Sequence, residues 1–486
     1  MNASAAEQTE TTPLLNGSSR NVQPPASGSN RPQILPCIDL LRSQSLPSDD
    51  DWLPSSLTPG PDRAAFELTV LLTYKAVLHD AQYSNGDIWE QWSEETKHVA
   101  SIAELEARIL ATWDAFLNVP RSCSEIERAL WSEHLLSEYS TRSIRVVDLY
   151  EYFPPGMLCH RVVELSLIRT WRCNARGDMS STNTWGHLAR SLYAPRCLHF
   201  LDLLGLLAYM AILMRYALNP PTVTVEMSTG LARTRTATIV VYSLFRTLHH
   251  RSFMQTPFLI TALSFLLSLP STPLPSETTY SAILIALSLH VLQLHLPCTP
   301  SPVHLLPFHQ VLPLSLLIWD GIAKIYIPVL ALFLPTLVLV LALLSLSLTD
   351  AITTGTEVRL ASPLEARTAF LLLLLILLLL LIFSVGMLIL VYPSISASAT
   401  GTCPWDRYSR ALGLGARRSF IFVVLSYAIP YGSAGGVTRR SIFSPSLSSR
   451  WPYASLSPII NGALLWMLVA FFPALLLAIL VWDLTS

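Results

Sequence analysis

The residues in this 486-residue chain that could do chemistry are mostly charges set in apolar surroundings. Asp202 lies inside "CLHFLDLLGLLAYMAILMRYAL", with Arg215 near the far end of the same run. Asp320 and Lys324 stand four apart in "WDGIAKIY", a spacing that shares one helical face. A charged group at membrane depth is costly and by default marks an ion path, a proton path or a partner. Two readings of Asp320 and Lys324 stay open. Asp320 could sit in an ion path, or the two could neutralise each other at an interface, with Lys324 reaching for water. Asp202, a turn or two inside its run, reads as within reach of headgroup water. His290 and His295 in "TYSAILIALSLHVLQLHLP" read either as pH sensors or as rings packed on polar partners. His160 and Glu164, at i and i+4, read as an ordinary pair on a helix surface.

These residues do not assemble into an enzyme signature. HExxH, GxSxG, a P-loop and a clustered carboxylate pair are all missing from the sequence, so no catalytic residue, metal site or cofactor is expected. The seven cysteines (Cys37, Cys123, Cys159, Cys173, Cys197, Cys298, Cys403) are scattered and form no CxxC. They suggest buried free thiols instead of a zinc ribbon or a disulfide framework. The net charge is −1 and nothing resembles a nucleic-acid motif, so no nucleic-acid partner is expected. No internal repeat of the transporter kind is visible.

The elements that would position such charges are apolar. "FLLLLLILLLLLIFSVGMLIL", residues 370–390, carries no charge, and a bilayer core needs ~20 such residues in a helix. Charged residues make up 13% of the chain, against ~25% in soluble domains. Mean hydropathy is +0.45, and the apolar excess follows Cys197. Apolar runs fall at 197–217, 234–248, 255–270, 279–297, 322–349, 368–392 and 459–482. Residues 303–320, with two prolines and two histidines, read as an interfacial or broken helix that does not cross. The fold class expected is therefore an all-α polytopic membrane protein. A cytosolic N-terminal helical domain would precede about six transmembrane helices, or seven if the last run crosses.

The domains read as a disordered tail (1–62), a cytosolic helical domain (63–196), a six-span domain (197–392) and a basic segment with a final apolar helix (393–486). The tail is rich in Ser, Pro, Thr and Gly and too poor in apolar residues to offset its ordering entropy. It opens with no apolar signal segment, so the N-terminus is expected in the cytosol. Its "ETTPLL" fits an acidic dileucine sorting signal through Glu10, Leu14 and Leu15, an address for vacuolar and other endomembranes, although so short a pattern also arises by chance. In 63–196, "RAAFELTVLLTYKAVLHDA" has helical spacing. Capping boxes are expected at Ser101/Glu104 and Ser124/Glu127. Arg407, Arg410, Arg417, Arg418, Arg439, Arg440 and Arg450 place the segment after Tyr392 on the cytosolic side, which agrees with six crossings. The span at 279–297 has no arginine, so steep voltage sensing is not expected of it.

Three stretches carry a likeness. "SLYAPRCLHFLDLLGLLAYMAILMRYAL" looks like an Ala-Pro entry into a first span, "WDRYSRALGLGARRSFIFVVLSYAIPY" like a segment after a pore, and "PIINGALLWMLVAFFPALLLAIL" like a closing apolar run. With the order of parts, the chain resembles the fungal vacuolar TRP-type calcium channels over residues 65–486. That resemblance implies a homotetrameric cation channel in the lipid bilayer, passing Ca²⁺, with 322–349 and 368–392 lining the pore. Gly386 would then be a bend in the inner helix, or a close-packing point. The connection between the two lining spans, "DAITTGTEVRLASPLEAR", departs from the family, being short and wholly polar. Asp350 and Glu357, with Glu365, could form an acidic ring for cations, offset by Arg359 and Arg367. Without a pore helix, the alternative is a non-conducting membrane scaffold or regulator working through residues 63–196.

Overall fold

The computed structural model describes residues 32–43, 52–54, 56–57, 59–80, 88–137, 143–173, 194–218, 230–249, 256–267, 276–323, 403–428, 467 and 471–485. Among these the protein is all-α apart from one two-stranded antiparallel ribbon, in which His134 pairs with Ile144 and Leu135 with Ser143.

The N-terminal body is organised on α2 (Pro61–Asp80). Its residues Ala65, Phe66, Leu68, Leu71, Leu72 and Ala76 are all buried. Thr69 and Thr73 are buried on the same helix and give their hydroxyl protons to the carbonyls of Ala65 and Thr69, both at 2.6 Å. This bond within the helix is how a buried threonine avoids an unmet polar group. Around α2 pack α1 (Ile34–Ser43), the second half of α3 (Ile88–Leu117), α4 (Cys123–Trp131) and a 3-10 stretch at Val146–Tyr152. Lys75 is buried beside them, donating to the Tyr152 carbonyl at 2.8 Å and paired with Glu106. The short α5 (Pro155–Leu158) and α6 (Arg161–Arg172) close this body.

Three local expectations are corrected. Residues 32–43 do not belong to a disordered tail: Ile34 and Leu41 are fully buried, and Leu35 N donates to the Leu136 carbonyl at 3.0 Å. No helix starts at Ser101. α3 runs straight through, and the Ser101 hydroxyl bonds the Lys97 carbonyl at 3.0 Å. The second capping box exists two residues early, at Ser122 and Glu125, where Ser122 N donates to Glu125 Oε2 at 2.8 Å. That register turns Ala129 and Leu130 into the core and leaves Glu127 to pair with Arg169 at 3.1 Å.

Beyond residue 194 come α7 (Pro195–Leu218), α8 (Gly230–His249), α9 (Thr256–Leu267), α10 (Ser276–His295), α11 (Phe308–Gly321), α12 (Arg410–Ala428) and α13 (Phe472–Thr485). α9 lies between α8 and α10, while α7 packs on α10, α12 and α13. Leu206, Tyr209, Leu213, Ile239, Tyr242, Phe258, Phe265, Ile283, Phe472 and Leu476 form the core of this bundle. A second core crosses the expected boundary at 196/197. Leu198, Val303, Leu312, Trp405, Phe420 and Val424 join the apolar interior of the N-terminal body. The 403–428 stretch, part of the segment read as basic, is thus packed into this core. Its Arg417 is 7% exposed and pairs with Asp406 at 2.9 Å. Gly413 permits this closure, because a Cβ there would come within 2.9 Å of the Trp405 carbonyl oxygen.

Among the described residues, two helices are long and apolar enough to cross a bilayer: Pro195–Tyr216 within α7, and α12. Six crossings are therefore not matched. α9 has 12 residues, or about 18 Å of rise against a core of roughly 30 Å. The apolar parts of α10 and α13 are also short, at Ala282–His295 and Phe472–Val481. α12 reverses the expectation in the other direction, since it was read only as a segment following the pore. Runs 322–349 and 368–392 lie outside the described residues, apart from Ile322 and Ala323.

Candidate functional site

The polar centre of the molecule lies where α7, α8 and α12 meet. Asp202 is in the second turn of α7 and is 2% exposed, while Arg246, in the last turn of α8, is 1% exposed. The helices are antiparallel, since Asp202 faces Arg246 and Tyr209 faces Tyr242 and Ser243. Arg246 grips both carboxylate oxygens of Asp202, with Nη1 donating to Oδ2 at 3.1 Å and Nη2 to Oδ1. Arg246 Nε donates to the Tyr242 hydroxyl at 3.0 Å. The guanidinium lies 5.4 Å from the Tyr242 ring centre and 6.0 Å from that of Phe258. Only arginine matches a carboxylate with this planar fork and stacks on an aromatic face as well.

The third element enters through α12. Tyr427 donates its hydroxyl to Asp202 Oδ2 at 2.7 Å. His199, one turn before Asp202, donates Nε2–H to the Ser301 carbonyl at 2.8 Å and stands edge-on to Tyr427 at 5.2 Å. The His304 ring lies 5.5 Å from that of His199. Burial, and then the neighbouring His199, hold His304 down at about 3, so it is neutral near pH 7.

This arrangement holds its elements together. The carboxylate is saturated by a bidentate guanidinium and a phenol. Among the described residues no three His, Cys, Asp or Glu side chains gather as a metal would require. What the site does is bind α12 to the α7–α8 hairpin through one buried carboxylate. Tyr427→Phe is expected to cost about 1.5–3 kcal/mol, the usual worth of a hydrogen bond to a charged group. Proteolysis of the folded protein checks this, with cutting of 410–428 accelerated before the rest.

The residues expected from sequence are dispersed. Asp202 is not near headgroup water but fully enclosed, because Arg246 supplies its counter-charge. Arg215 lies in the last turn of α7, far along the helix from Asp202. Asp320 stands half-buried near the end of α11, while Lys324, Asp350, Glu357, Gly386, Glu10, Leu14 and Leu15 lie outside the described residues. His290 is packed, at 4.4 Å from Phe258, with Nδ1 3.2 Å from Gln293 Oε1. His160 does not pair with Glu164. It caps α6 by accepting from Val162 N at 3.3 Å. Sequence reading missed Arg246 and Tyr427, although an arginine inside the apolar "TIVVYSLFRTLH" was a visible signal that a buried acid should answer it.

Fold and site together define a class: an all-α protein whose helical bundle and N-terminal body share a core and meet around an enclosed ion pair. No protein-family model, curated protein or solved structure matches the chain.

Proposed function

We propose that the chain is a polytopic membrane protein of TRP-type cation-channel design, acting in a vacuolar or other internal membrane. The single observation behind this is that the bundle's outer face is apolar while an ion pair and several polar groups are enclosed in its core. Phe200, Leu207 and Met214 on α7, Leu259, Leu263 and Leu266 on α9, and Ile285 on α10 are exposed. Asp202, Arg246, Ser243, Thr261 and His290 are buried among the same helices. Water would favour the opposite arrangement, and apolar exposure on this scale marks a membrane or partner surface. Ser243, Thr261, Ser264 and Ser288 also bond carbonyls four residues back at 2.7–2.9 Å, so each hydroxyl is satisfied within its own helix, as a bilayer requires.

In this reading the α7–α10 bundle is the membrane part before a pore made by 322–349 and 368–392 in four copies. Asp350 and Glu357 supply the acidic ring for Ca²⁺, Asp320 and Lys324 lie by its entry, Gly386 bends the inner helix, and Glu10, Leu14 and Leu15 direct sorting. The short polar 350–367 connection favours a second reading, a non-conducting membrane regulator. Purified protein in a planar bilayer with calcium on one side decides between them. The channel gives discrete cation-selective openings whose calcium selectivity falls in Asp350→Asn and Glu357→Gln. Silence from folded protein gives the regulator.

A further inference from the structure

α3 is packed along its second half, where Leu105, Ile109, Trp113 and Phe116 are buried. The first half, 88–103, adds about 24 Å of helix and carries a different stripe. Trp89, Trp92, Thr96, Val99 and Ala103 are all exposed. Steps of three and four residues are those of a helix-docking seam. By helical spacing this seam lies about a third of a turn from the buried one, so it does not continue the core. Trp89 and Trp92, at 76% and 62%, are the two most exposed large apolar side chains among the described residues, and adjoining apolar exposure marks an interaction surface. The surface around them is acidic. Glu90, Glu94 and Glu95 are exposed, and Lys97 is the one lysine or arginine in 88–103.

A segment of matching chemistry lies between α12 and α13. No Asp or Glu occurs between Asp406 and Asp483, and "VTRRSIFSPSLSSRWPY", residues 437–453, holds Arg439, Arg440 and Arg450 beside Ile442, Phe443 and Trp451. These residues lie outside the described ones, but the two anchors that hold them do not. The chain leaves α12 at Tyr427, bonded to Asp202, and returns at Pro473, whose Cγ a Cβ on Gly205 would approach to 2.9 Å. Both anchors sit within one turn of α7, beside His199, whose ring is 5.6 Å from that of Trp171 in the N-terminal body. α12 also packs on α5, and Gly156 of α5 lies against Leu110 of α3. Arg439 stands 12 residues past Tyr427, up to about 40 Å of chain, while Val99 is about 17 Å along α3 from Leu110.

We propose that residues 437–453 dock on the exposed stripe of α3 and so tie the stretch between α12 and α13 to the N-terminal body. The arginines face Glu90, Glu94 and Glu95, and Ile442, Phe443 and Trp451 cover the two tryptophans and Val99. An anionic lipid surface would repel these glutamates, and a second copy of α3 would bring like charges together. The docking needs no conducting pore, so electrical silence leaves it intact.

Benzoylphenylalanine placed at Val99 of the full-length protein in membranes tests it, with the photo-adducts mapped by mass spectrometry after proteolysis. Adducts are expected within 437–453 of the same chain. Arg439→Glu with Arg440→Glu is expected to lower their yield by roughly 2- to 30-fold, the range that two exposed ion pairs set. Adding Glu90→Arg and Glu95→Arg to that pair is expected to restore it, which a contact of shape alone would not do. Adducts confined to lipid, to a second copy or to residues 32–173, no adduct at all, a yield unmoved by the arginine changes, or a failed restoration would overturn the proposal.

Discussion

Asp202→Ala is expected to cost about 3–5 kcal/mol of folding stability, because it strands the Arg246 guanidinium in the protein interior. Arg246 is 1% exposed, and besides Asp202 it donates to the Tyr242 hydroxyl, a neutral group that does not replace the lost charge. Arg246→Met should hurt less. The carboxyl left behind can take up a proton and become neutral, whereas a guanidinium cannot. The paired change Asp202→Leu with Arg246→Met should recover most of the loss, since well-packed apolar residues often replace a buried ion pair at little cost. Thermal unfolding of wild type, Asp202→Leu, Arg246→Met and the pair, read as a double-mutant cycle, measures the coupling. A cost below about 1 kcal/mol for Asp202→Ala would mean that water reaches the pair and that the site is not closed.

The difference between Asp202 and Glu164 shows what a sequence can and cannot reveal. Both were visible as acids in helical runs. That α2 is a helix was also legible from its apolar spacing, although it proves buried on nearly every face. Partners were not. Glu164 has His160 at i−4 on its own helix, yet its contacts are Arg161, Trp405 and His309, two of them more than 140 residues away. Asp202 has Arg215 in its own run but pairs with Arg246 across the α7–α8 hairpin. Spacing along one helix reports neighbours on that helix only, and antiparallel packing supplies the rest. The capping boxes failed for another reason. Ser122 and Ser124 each precede a glutamate by three residues, and only the burial of Ala129 and Leu130 decides between the two registers. The apolar character of α12 was hidden in "GARRSFIFVVLSYA", whose paired arginines suggest a solvated segment although Arg417 is paired inside.

Leu263→Arg separates a bundle in lipid from one in water. Leu263 lies mid-way along α9, is 46% exposed, and belongs to the outward face with Leu259 and Leu266. Thr261 and Ser264 turn the other way, into the bundle. On a protein surface in water, an arginine at such a site changes stability by about 0.5 kcal/mol or less. In the middle of a bilayer the same side chain costs about 2.5–3.5 kcal/mol by insertion scales. The variant is therefore expected to lose insertion of α9 by roughly 60- to 300-fold, the ratio that this energy sets at 1.4 kcal/mol per factor of ten. Protease protection of α9 in membranes carrying wild type, Leu263→Arg and Leu263→Phe reads it directly. The phenylalanine variant should protect α9 like the wild type, since the site asks only for apolarity. The arginine variant should expose α9 to protease while the rest of the chain stays with the membrane. Equal protection in all three would place α9 outside the hydrocarbon, where its 12 residues would lie along the surface of a bundle crossed by fewer helices.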